Sequence, residues 1–310
     1  MVLESISERI KKLPLRGVKG TVGTQATYMQ MFNDDEDKVD QLDEMVCRKM
    51  GFEKISTITG QTYSRLFDVY VLDELKNLAG CLHKICLDIR LLAHDKEVEE
   101  PFEAKQIGSS AMAYKRNPMR SERVNGLARH IFALASEPIW TYANQMFERT
   151  LDDSAPRRIY IPQTFLTADA ILTITINVVS GLQVWPEMIS KRLQFELPFM
   201  ATEQIIVACV KAGADRDAMH HLIRDHSMEV GFEIKSRGAP NNLFKRIRSD
   251  DRFPAEVRAN LDAIVDPKKF IGRSAGLVDK FIRQDLDPLL EKVEGKSAAS
   301  KRQFDLELRV

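Results

Sequence analysis

The sequence predicts an all-α protein, an elongated helical bundle followed by a small helical domain. Three observations carry this prediction. Apolar residues recur every three to four positions over long stretches, which is the period of a helix with one buried face. Glycine (15) and proline (12) are sparse in 310 residues, so turns are few. No stretch alternates apolar and polar residues in the two-residue period of a strand.

The elements follow in order. Residues 1–33 read as polar and irregular, and Gly17, Gly20 and Gly23 imply a turn or a close backbone approach. "DEDKVDQLDEMVCRKM", 35–50, sets Val39, Leu42, Met45 and Val46 on one face, and Gly51 ends that helix. "TGQTYSR", 59–65, leads into a long helix whose Val69, Leu72, Leu75, Leu78, Leu82, Ile85 and Ile89 keep the period. Its length is about 28 residues, or roughly 42 Å, as in an extended bundle. After "GSSAMAYKRNP", 108–118, Asn117 and Pro118 are the expected N-cap and first residue of the next helix. That helix aligns Val124, Leu127, Ala128 and Ile131. "LDDSAPRR", 151–158, is a break, and another long apolar helix follows, with Pro162 starting or kinking it. "VWPEMI", around Pro186, marks the expected domain boundary, between 1–184 and 185–310. Shorter helices then alternate with Gly213, Gly238, Pro254 and Pro267.

Composition narrows the function classes. The chain is 44% hydrophobic and 29% charged, the balance of a soluble protein with a large aliphatic core. Lys plus Arg and Asp plus Glu are both 45, so the basic excess of a nucleic-acid binder is missing. This weighs against a helix-turn-helix reading of "VACVKAGADRDAMHHLI", 207–223. The run from Phe165 to Trp185 is long enough to cross a bilayer, but Asp169, Asn177 and Gln183 favour a buried bundle helix over a membrane span. The N-terminal residues lack the apolar core of a signal peptide, and Cys47, Cys81, Cys86 and Cys209 form no CxxC pair. A cytoplasmic protein with reduced thiols is expected. No spacing of Asp, Glu, His and Cys makes a metal site, and no cofactor is expected.

The segment "GSSAMAYKRNPMRSER" stands apart from its helical surroundings. A serine hydroxyl acts as a base only where cations or N–H groups stabilise its alkoxide and water is excluded. Lys115 offers such a charge, while Arg120 and Arg123 suit a carboxylate or a phosphate. The same residues also fit a plain solvated loop before a capped helix.

The spelling G-S-S-x-M-x-x-K-x-N-P resembles the signature loop of the fumarase/aspartase superfamily, all-α tetramers that eliminate fumarate from succinyl-bearing substrates. "RGVKGTVGTQAT", "ITGQTYSR", "FERTLDDSA" and "ELPFMATE" are similar to the adenylosuccinate lyase branch, and the likeness runs from about Arg16 to about Leu290. This resemblance implies a carbon–nitrogen lyase of purine synthesis. It releases fumarate from adenylosuccinate, giving AMP, and from the succinylated carboxamide ribotide.

By the same resemblance Ser109 is the base, and Lys115 and Asn117 hold the succinyl carboxylates. Glu122 pairs with a catalytic histidine, and alone it also reads as a first-turn glutamate favoured by the helix dipole. Gln61 and Arg123 contact the substrate, and Arg149, Ser154 and Arg158 grip the 5′-phosphate. A surface ion-pair cluster with Glu148, Asp152 and Asp153 is the alternative for that last group.

The sequence departs from the family pattern in places. Ala113 stands where the pattern has proline, which implies a looser loop, and Pro156 and Pro162 fall where it continues a helix. The family's general-acid histidine precedes the "RGVKG" stretch. His83, His94, His130, His220, His221 and His226 lie in none of the matching segments. The expectation is a truncated lyase, inactive alone, that forms homotetramers. The rival is a non-catalytic subunit that assembles with full-length lyase. Argininosuccinate lyase and fumarase remain open within the superfamily, with the phosphate-type segment favouring a nucleotide.

Overall fold

The computed structural model describes residues 2–102, 112, 114–147 and 149–297. They divide into two compact units, one ending at Val184 and one beginning at Trp185. The all-α expectation holds. The exception is a two-residue antiparallel ladder, β1 Val98–Glu99 on β2 Gln183–Val184. Such a pair is too short to show alternation in sequence, and it exists because distant parts of the chain meet.

The first unit contains α1 Val2–Lys11, α2 Ala26–Met31, α3 Glu36–Lys49, α4 Leu66–His94, α5 Met119–Leu134, α6 Glu137–Ala143 and α7 Ser154–Ser180. The irregular reading of residues 1–33 is corrected at α1 and α2. Val2 and Ile6, one turn apart, pack on the bundle core, and Arg9 pairs with Glu74 of α4 at 2.8 Å. A stripe of two residues is too short to be read from periodicity alone. The ends of α3 do follow local rules. Asp35 accepts the Lys38 N–H at 3.1 Å, and Gly51 takes the left-handed φ of 75° just past the end.

Helices α4, α5 and α7 make the core. Leu75, Leu78, Leu82, Cys86 and Ile89 of α4 meet Val124, Ala128 and Ile131 of α5 and Ala168, Ile171, Ile174 and Val178 of α7. Each large side chain buried here contributes about 1.5–3 kcal/mol. Among the described residues one helical stretch, Leu151–Ser180, has the length and hydropathy of a bilayer span. Its Ile171 and Val178 are fully buried within the bundle. Pro156 sits in the first turn of α7, where no N–H is needed. Pro162 lies inside the helix, which continues through it.

The N-terminus of α5 corrects the sequence reading. The cap position is Pro118 rather than Asn117, and its own side chain caps nothing. The cap comes from Glu100, twenty residues earlier. Its Oε2 accepts the Arg120 N–H at 3.0 Å, and its Oε1 accepts the Ser121 N–H at 2.6 Å. The Arg120 side chain is buried and donates to the Pro101 carbonyl at 3.1 Å and to Asn177 Oδ1 at 2.7 Å. Outside it, Arg116 pairs with Glu99 at 3.1 Å and lies over the Phe102 ring. These contacts fix the chain on both sides of the 103–113 segment.

The second unit contains α8 Pro186–Met200, α9 Thr202–Lys211, α10 Arg216–Arg237, α11 Leu243–Ser249, α12 Ala255–Ala259, α13 Leu261–Ile264, α14 Ser274–Phe281 and α15 Asp287–Ser297. Ile205 and Cys209 of α9 pack with Leu222 and Ile223 of α10 and with Leu243, Ile247 and Leu261. The helix–turn–helix geometry at α9–α10 therefore serves a core. The Asp250 carboxylate accepts from Arg252 and from His226 Nε2–H, 2.7 Å away. The Arg252 bonds, and after them His226, hold its carboxyl well below the usual range against a smaller opposing effect of burial.

Replacing Glu100 with alanine leaves two buried N–H groups of α5 without their acceptor. The expected cost is about 1–3 kcal/mol, read as a lower urea midpoint at unchanged slope.

Candidate active site

Three stretches build the polar region of the first unit. The first is 16–24. Here Asp43 accepts the Val18 N–H at 2.6 Å and the buried Lys19 ammonium at 2.5 Å. Arg16 donates to the carbonyls of Gly20 at 2.8 Å and Gly60 at 2.9 Å, tying this stretch to the second. The closest approach is at Gly23, with φ of 88°. A Cβ there would lie 1.8 Å from the Thr59 carbonyl oxygen, so only glycine fits.

The second stretch, "TGQTYSR", ends at the start of α4, and the third, 149–158, opens α7. Two buried carboxylates join them. Asp153 is fully buried, and Arg65 is 4% exposed. Asp153 Oδ2 accepts from Arg65 Nε at 2.7 Å and Nη2 at 2.6 Å, and Oδ1 accepts from Arg149 Nη2 at 3.4 Å. Asp68 Oδ2 accepts from Arg157 Nε at 2.7 Å, and its Oδ1 accepts the Tyr63 hydroxyl at 2.7 Å. Arg157 donates in turn to the Tyr63 oxygen. The Arg65 guanidinium lies over the Tyr63 ring, 4.8 Å from its centroid. Burial pushes the Tyr63 phenol above its ordinary value, and the bond to Asp68 adds to this. Partial burial pulls Arg157 down, but its bonds to Asp68 carry it above its ordinary value.

Two cavities flank this network. One, of about 510 Å³, is lined by Gly23, Thr59, Tyr63, Arg65 and Phe147 among others. The other, of about 340 Å³, is lined by Arg149, Ser154, Arg157, Arg158, Ile161 and Pro162. Arg158 donates to the Ser154 carbonyl and hydroxyl. The buried Arg149 Nε has no acceptor among the described residues. Three guanidinium groups and a hydroxyl at the first turn of a long helix make a surface for an oxyanion.

Residues 3–133 match the family model described as "Lyase", and residues 198–281 match the one described as "Adenylosuccinate lyase C-terminus". The chain is 50% identical over 277 residues to the adenylosuccinate lyase of Saccharomyces cerevisiae, covering 89% of this chain and 57% of that protein. It is 46% identical over 291 residues to the adenylosuccinate lyase of Schizosaccharomyces pombe, covering 94% of this chain and 60% of that protein. Over most of its length the chain is thus similar to adenylosuccinate lyases. Its fold is that of a solved fumarate lyase from Mesorhizobium sp. BNC1, with a TM-score of 0.67 at 19% identity over 90% of this chain and 58% of the other. The chain spans 57–60% of the length of the two yeast adenylosuccinate lyases.

The expected adenylosuccinate lyase residues fall into three groups. Ser109 and Ala113 lie outside the described residues. Arg149, Ser154 and Arg158 line one cavity together. Gln61, Lys115, Asn117, Glu122 and Arg123 are exposed and line neither cavity. Gln61 follows Gly60 at the rim of the larger cavity, and Lys115 turns back through its N–H to the Met112 carbonyl at 3.0 Å. The surface ion-pair alternative for 149–158 is corrected at Asp153, which is buried and bound to two arginines. None of the six histidines lines either cavity. Among the described residues no group of three His, Cys, Asp or Glu side chains is placed to hold a metal ion.

Sequence reading missed Arg157 and the Arg65–Asp153 pair. The arginine adjoining Arg158 was a visible candidate for the cavity, since both stand in the same helix turn. The Arg65–Asp153 pair spans 88 residues and leaves no local signal.

Removing one member of a buried ion pair strands the other. Arg65→Met is expected to lower stability by about 3–5 kcal/mol, measured by chemical denaturation.

Proposed function

We propose that this chain provides the phosphate grip, the signature segment and the C-terminal helical domain of an adenylosuccinate lyase. The first unit, up to residue 184, is then the central bundle, and residues 185–310 form the C-terminal domain. The substrates are adenylosuccinate, cleaved to AMP and fumarate, and the succinylated carboxamide ribotide. Ser109 removes the proton next to a carboxylate. Lys115 and Asn117 hold the succinyl carboxylates and stabilise the charge that develops on the carbanion. Glu122 orients a histidine, Gln61 and Arg123 contact the substrate, and Arg149, Ser154 and Arg158 bind the 5′-phosphate.

The observation that supports this reading most is the arginine-lined cavity at the start of α7. Arg149, Ser154 and Arg158 meet there, and the buried Arg149 Nε lacks an acceptor among the described residues. The likeness to adenylosuccinate lyases suggests the chemistry of the ligand.

The departing nitrogen needs a proton, and no histidine of this chain lines the cavities. The chain is therefore proposed to bind nucleotide without turning over adenylosuccinate alone, and to work within a homotetramer that brings an acid to the site. Exposed apolar side chains on the bundle helices, Leu91 at 58% and Leu166 at 70%, favour such an assembly. The same observation favours the second reading, a non-catalytic subunit that joins full-length lyase.

Two measurements test this. Absorbance of adenylosuccinate is expected to stay constant with the purified chain, and steady loss of it would show that another residue supplies the proton. Arg158→Ala is expected to weaken 5′-AMP binding roughly 10- to 100-fold in calorimetry, the range for a charge-assisted hydrogen bond. Unchanged AMP affinity in that variant removes the phosphate reading.

A further inference from the structure

The buried carboxylate Asp153 does not line the cavity, yet it touches an arginine that does. Its two oxygens divide their work. One is taken by Arg65 through two bonds at 2.6 and 2.7 Å, and the other faces Arg149 at 3.4 Å. A carboxylate removed from water is costly unless cations and hydrogen bonds surround it. A lone Asp153–Arg149 pair would also cancel the charge that an anion needs. Arg65 resolves this conflict, because it neutralises Asp153 from the far side and leaves the Arg149 charge for a ligand.

The lining of the cavity agrees. Among the described residues Arg149, Arg157 and Arg158 line it and no carboxylate does, which suits a phosphate monoester of about −1.5 to −2 charge near pH 7. Asp68 holds Arg157 in a different way, with the neutral Tyr63 hydroxyl as the third member, so that pair adds no net charge.

We propose that Asp153 is a positioning residue for phosphate binding: it sets the Arg149 guanidinium in the cavity wall, while Arg65 offsets its charge. This rests on the reading of the cavity as the 5′-phosphate site. Asp153 touches no substrate and acts through Arg149. The device explains why a fully buried acid sits one residue from an anion cavity, where an exposed acid would repel the ligand.

The test uses the 310-residue chain with 5′-AMP and adenosine as probes in calorimetry. Wild type binds AMP more tightly than adenosine. Asp153→Asn loses about tenfold in AMP affinity, with adenosine unchanged. In an Arg149→Met background the same substitution changes AMP affinity less than about twofold, because the route through Arg149 is already closed. Thermal melts accompany each variant.

A signal for the Arg149 Nε–H in nitrogen-15 spectra of wild type, assigned by its loss in Arg149→Met, gives a reading that needs no Asp153 variant. It is expected to be resolved from the bulk arginines and to move on adding AMP. An Arg149 signal merged with the bulk overturns the positioning role, as does an AMP affinity in Asp153→Asn within twofold of wild type. A tenfold loss that persists in the Arg149→Met background overturns it too. Equal affinity of wild type for AMP and adenosine overturns the phosphate reading and this inference together.

Discussion

The ion pair between Arg65 and Asp153 ties the start of α4 to the start of α7, the two longest helices of the bundle. Both side chains are shielded from water, so their attraction is weakly screened and their geometry is narrow. The core packing of α4 on α7 tolerates small slides along the helix axes, because aliphatic contacts are not directional. A bidentate grip on one carboxylate oxygen is directional. It sets the register in which the "TGQTYSR" stretch meets the arginines of 149–158, and both cavities sit against that junction.

A similar constraint acts at α5. The Glu100 carboxylate reaches across the chain to the first free N–H groups of the helix, and Arg120 anchors the other side on Pro101 and Asn177. In both places buried acids and arginines join segments that are distant in sequence. The cost of burying each charge is offset by two or more bonds to it, and that need for several partners makes each junction specific.

Much of the helical layout was legible. The α3 and α4 patterns carried their own stops and faces, and the capping aspartate Asp35 worked as a local rule predicts. The grouping of Arg149, Ser154 and Arg158 was expected from the spelling of 149–158, and all three line one cavity. Other features were hidden for specific reasons. Among the described side chains of α1, Val2 and Ile6 pack against the core. Asn117 obeyed the N-cap preference, but Glu100, seventeen residues earlier, took the role. Asp153 looked like one more surface acid in a charged run, and its burial depends on a partner 88 residues earlier.

The division has one physical origin. A helix is closed by bonds four residues apart, so apolar period, breakers and end residues are enough to mark where α3, α4, α5 and α7 run. Charge partnership has no such local rule. Whether Asp153 stays an exposed acid or becomes a buried partner of Arg149 depends on Arg65 arriving beside it, and only packing α4 against α7 brings the two within hydrogen-bond distance.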